Sequence, residues 1–121
     1  MSDALARLLD AIAAEMPPEE VDAVWVFPPV RRDGRDHGVA VVSRLAGADR
    51  RRVYRARYLA GLAGGERGKV SVELELAAEG PRDLVTSVIE GERRRADEAG
   101  DAELVDLSAW RAASGARSEI G

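Results

Sequence analysis

No cysteine, asparagine or glutamine occurs in the chain, and there is one histidine, one lysine and five aromatic side chains. The missing cysteines exclude disulfides, thiolate catalysis and cysteine-ligated zinc together. A Ser/His/Asp triad could draw only on His37, and no serine stands in a nucleophile context. His37 with Asp33 and Asp36 would make a thin metal site, so a solvated turn histidine is the preferred reading. No G-x-G-x-x-G, H-E-x-x-H or G-x-S-x-G motif occurs. Gly64 and Gly68 lack the spacing of a phosphate loop, and a strand rather than a helix follows them. Catalytic residues, metal and cofactor are therefore all expected to be none. No apolar run approaches 18 residues and no secretory n-region is present, so the expectation is a soluble, cytoplasmic protein without a membrane span. Asparagine, glutamine and cysteine also fall in thermal adaptation, but that pattern enriches lysine. Abundant alanine with arginine in place of lysine points instead to a GC-rich, bacterial-like coding sequence.

The net charge of −4 conceals a segregation. Residues 1–30 carry one arginine against six acids, residues 31–57 nine arginines against three aspartates, and residues 58–121 eight cations against thirteen acids. A basic island thus sits inside an acidic protein. Within it Arg50, Arg51, Arg52, Arg55 and Arg57, interleaved with Tyr54 and Tyr58, form a candidate anion-binding or nucleic-acid strand. Two features oppose that reading. The tyrosines alternate away from Arg55 and Arg57, and the sequence pI is about 5.1. Nucleic acid is not expected as a partner.

Periodicity organises the rest. Residues 51–77 alternate with a period of two around a glycine-rich loop and predict a long hairpin. Closing that loop at Ala63–Arg67 sets Arg57 opposite Glu73 and Arg55 opposite Glu75. Asp33-Gly34 predicts a second hairpin. Centring it there puts Trp25 opposite Val42 and Phe27 opposite Ala40, leaving Val24, Val26, Val39 and Val41 on the other face. Leu5, Leu8, Leu9, Ile12 and Met16 recur at helical spacing, and Pro17-Pro18 stops that helix. Gly80-Pro81 starts a second helix with Leu84, Val85, Val88 and Ile89 as its stripe and Gly100 as its end. Asp101–Trp110 reads equally as a strand or a helical turn.

The expected fold is α+β: a four-stranded antiparallel meander with an N-terminal helix and a second helix after the sheet, both packed on one face. Residues 1–111 would form one domain and 112–121 a frayed tail. The covered face would carry Trp25, Phe27, Ala40, Val42, Tyr54, Ala56, Tyr58, Val72, Leu74 and Leu76. Val24, Val26, Val39, Val41 and Val53 would then form an exposed apolar patch, the expected interface for a homodimer or another protein. The expected function is non-catalytic protein association. The alternatives are an anion or nucleic-acid binder through Arg50–Arg57, and a small enzyme or ligand-binding protein with a pocket between sheet and helices.

Overall fold

The computed structural model describes residues 3–32, 34–61, 70–95 and 102–112. The Ala63–Arg67 loop, the Gly100 helix end and residues 113–121 lie outside them. The order of elements is α1 (Asp3–Glu15), β1 (Val21–Val26), β2 (Val30–Arg32), β3 (Arg35–Leu45), β4 (Arg50–Gly61), β5 (Val70–Pro81), α2 (Leu84–Arg95) and β6 (Glu103–Leu104). A 3-10 turn at Pro18–Glu20 joins α1 to β1. The fold is α+β, with one open antiparallel sheet of six strands ordered β5-β4-β3-β1-β6, and β2 paired to the end of β3. Residues 102–112 resolve the open choice in the tail by adopting both forms: Leu104 pairs with Trp25, and a helical turn follows from residue 108.

The long hairpin has the expected register, with Arg55 opposite Glu75 and Arg57 opposite Glu73. Its neighbour β3 also falls as expected, with Ala40 opposite Ala56 and Val42 opposite Tyr54. The first hairpin does not. Asp33 lies outside the described residues, but Gly34 has φ 73° and Arg32 stands opposite Arg35, as a turn centred there requires. Between Val26 and Val30, however, lie three residues, whereas between their partners Ala40 and His37 lie two. The extra residue sits at Phe27-Pro28-Pro29, where neither proline has an N–H to give the ladder. Because side chains alternate, one residue of slip turns the whole of β1 over. Trp25 therefore faces Val41 and not Val42, and the Phe27 amide donates to the Val39 carbonyl at 3.0 Å.

The two helices consequently cover opposite faces, not one. On the first face Leu8, Leu9, Ile12 and Met16 of α1 pack on Val24, Ala40, Val42, Ala56 and Tyr58, with Leu107 of the tail beside them. On the second, Val85, Val88 and Ile89 of α2 pack on Phe27, Val41 and Val53. The reason is in β1 and β3, which are apolar on both sides: such a sheet must be covered twice, and one helix goes to each side. Leu76, expected inside, is 53% exposed.

Two local arrangements stiffen the frame. The Tyr58 ring lies across Gly38, where an added Cβ would fall 1.9 Å from the ring. Only glycine admits this close approach between β3 and β4. Arg51 is 5% exposed; its guanidinium donates to Asp22 Oδ2 at 3.0 Å and to the Arg50 carbonyl at 2.9 Å. That contact ties the turn between β3 and β4 to β1.

Candidate functional site: the open edge and bare end of the sheet

The expected valine interface is not one surface. Val24 and Val26 lie on the α1 side, while Val39, Val41 and Val53 lie on the α2 side. Val24, Val41 and Val53 are fully buried within the chain. The Pro28-Pro29 slip separates them, and Val24, Val41 and Val53 are covered within the two cores.

The arginine cluster is likewise distributed. Arg52 donates to Glu79 at 2.7 Å on the α1 side, which raises its own pKa and holds the Glu79 carboxyl below its usual range. Arg51 is taken by Asp22. On the α2 side the Arg55 Nε donates to Glu92, whose carboxylate is buried, and its guanidinium stands 3.9 Å from Glu75. Arg50 and Arg57 are exposed, and neither has an ion pair among the described residues. Tyr54 and Tyr58 face the α1 core, away from Arg55 and Arg57. Neither tyrosine shares the side of the sheet that carries Arg55 and Arg57.

Tyr58 supplies a pH signature of the α1 core. Burial pushes its phenol above the ordinary tyrosine value, and the nearby Asp36 charge adds to the shift. A folded pKa above the unfolded one means that stability is complete below the unfolded value of about 10 and is lost as pH rises through the folded value. Tyr58→Phe is therefore expected to match wild type in urea midpoint at pH 8 and to exceed it at pH 11. Equal midpoints at pH 11 would place the phenol in solvent.

His37 lies in β3 rather than at a turn, exposed and opposite Leu59. No cluster of three metal-ligating side chains occurs among the described residues. His37 instead borders a groove of about 500 Å³ on the α2 side. There β3 contributes His37 and Val39, β4 contributes Arg57 and Leu59, and β5 contributes Ser71 and Glu73, with Val30 and Arg32 of β2 alongside.

The second open feature is the outer edge of β5. At the other side of the sheet the border strand β6 has two residues; β5 has 12. Ladder alternation fixes which backbone groups it leaves free. The Ala46 amide bonds the Arg50 carbonyl, so the even residues of β4 turn to β3 and its odd residues to β5. Arg55, Arg57 and Leu59 thus exchange bonds with Glu75, Glu73 and Ser71. Val72, Leu74 and Leu76 are left with N–H and C=O pointing outward. Their side chains share the α1 side, where Val72 and Leu74 meet Ala11, Ala14 and Glu15 of α1 around a notch of about 240 Å³. Sequence reasoning missed this edge, although the last strand of any meander must border the sheet. The strict alternation of Glu73 and Glu75 with Val72, Leu74 and Leu76 was its signal.

No family model, no curated protein and no solved structure matches the chain. No helix among the described residues is long and apolar enough to cross a membrane.

Proposed function

We propose that the protein is a non-catalytic association module that captures an extended segment of another protein as an added strand along β5. The observation that carries this reading is the row of backbone groups at Val72, Leu74 and Leu76, which has no partner strand among the described residues and is flanked by an apolar notch. Natural sheets usually shorten, bend or charge their edges to prevent pairing. β5 has a bulge opposite Val53/Tyr54, but Val70–Leu76 runs regularly against β4. Main-chain bonds would supply affinity and the notch would read alternate side chains.

Charge selects the partner. Glu73 and Glu75 flank the edge on one side of the sheet and Glu15 on the other. A two-fold pairing of β5 with a second copy, centred on Glu73, Leu74 or Glu75, sets glutamates directly opposite each other, which is destabilising. A strand alternating apolar and basic residues sets a cation beside each instead. The favoured partner is thus a different chain, and the self-association read from the valines is the weaker form of the same idea.

A fluorescein-labelled, acetylated heptapeptide alternating arginine and valine tests this by anisotropy. The expected Kd is roughly 10–100 μM, or about 5.5–7 kcal/mol. Leu76→Glu should weaken binding about tenfold, although it adds an attractive charge, because it interrupts the apolar row at an exposed position that folding does not need. Unchanged or tighter binding to Leu76→Glu, or equal binding of a peptide with glutamate in place of arginine, would sink the proposal.

A further inference from the structure

The groove around His37 is a second opening, on the opposite side of the sheet from the β5 notch, and does not depend on strand capture. α2 packs where Val41 and Val53 lie, and among the described residues no helix covers the other end of that side. Three half-buried side chains, Val30, Val39 and Leu59, give this end an apolar floor. Its volume of about 500 Å³ falls in the usual range for small-molecule sites, roughly 300–1,000 Å³, and such sites pair an apolar lining with few polar groups.

The charges at its rim differ in sign from the whole. Two arginines, Arg32 and Arg57, stand at the rim beside one carboxylate, Glu73, in a chain whose net charge is −4. Arg57 is also the one arginine of the β4 face beside α2 that has no carboxylate within ion-pair distance among the described residues, whereas Arg51 and Arg55 are both paired. Its planar guanidinium remains available to grip a carboxylate through two N–H groups. Glu73 at the same rim opposes a second negative charge.

We propose that this groove binds a small amphipathic monoanion: a carboxylate held by Arg57 with Arg32 beside it, carried on an apolar body that lies over Val30, Val39 and Leu59. Polyphosphates and nucleic acid are excluded by Glu73 and by the apolar floor.

Octanoate is the probe, compared with octanol and octylammonium, with backbone amide shifts as the readout on the full chain. Octanoate should bind saturably, with a Kd of roughly 0.1–1 mM, and move the amides of Val39, Leu59 and Ser71. Octanol and octylammonium should bind at least about tenfold more weakly, the contribution of one charge-assisted contact. Arg57→Glu should abolish octanoate binding and Arg57→Met weaken it about tenfold. Arg50→Glu, an exposed arginine outside the groove, should leave it unchanged. The proposal is overturned if octanol binds as well as octanoate, if Arg57→Met binds like wild type, if the shifts fall outside the groove, or if octanoate does not bind.

Discussion

Arg55→Met is expected to lower stability by about 3–5 kcal/mol, the usual result of removing one partner of a buried ion pair. Arg55 and Glu92 are 14% and 5% exposed at their side chains, and they join β4 to α2. Methionine fills the volume of the arginine stem but removes the Arg55 charge from the buried Glu92 carboxylate. The coupled variant Arg55→Met with Glu92→Leu should recover most of the loss, since an apolar pair of similar volume often equals or exceeds a buried ion pair. Urea denaturation followed by fluorescence checks both, with a shift of roughly 2 M expected for the single variant if the slope is about 1–3 kcal/mol/M. Amide exchange should show α2 opening first. If the double variant is no more stable than Arg55→Met alone, the cost comes from lost packing and the ion pair is not what holds α2 down.

The second large effect is expected at Phe27. It is 1% exposed in the α2-side core, and Phe27→Ala should cost about 3–5 kcal/mol. Leu76→Ala, at a position 53% exposed, should cost less than about 0.5 kcal/mol. Strand alternation taken from the Asp33-Gly34 turn would put both residues on one covered face and make the two losses alike. Denaturation midpoints of the pair therefore test the one-residue slip directly.

What could be read from sequence divides along the same line. Where a strand alternates without interruption, apolar and charged residues leave one workable register, and Arg55 opposite Glu75 follows. Where Pro28-Pro29 breaks the ladder, alternation carries no information across the gap, and the sides of Trp25 and Phe27 are set instead by which core has room for them. The face that α2 covers is not legible in its stripe, which says only that it must be buried. The valines on both sides of β1 and β3 require a second cover rather than an exposed surface. Glu92 extends the helical spacing of Val85, Val88 and Ile89, so a carboxylate on a buried stripe was visible, and with it the need for a cation. The β5 edge and the His37 groove leave a fainter mark, because they are defined by what does not pack against them.

β6 has a consequence for the order in which the chain becomes safe from aggregation. The hairpins β2-β3, β3-β4 and β4-β5 join neighbours in sequence and can close early, but the outer side of β1 is paired only when Glu103 and Leu104 return from the far end of the chain. Leu107, buried against α1, arrives later still. During synthesis a nascent chain that has not yet released these residues holds β1 as an unpaired edge, apolar on both sides. A ribosome-bound or truncated form ending before Leu104 would thus present a sticky strand at each border of its sheet, and two such borders on one molecule are enough to grow a polymer.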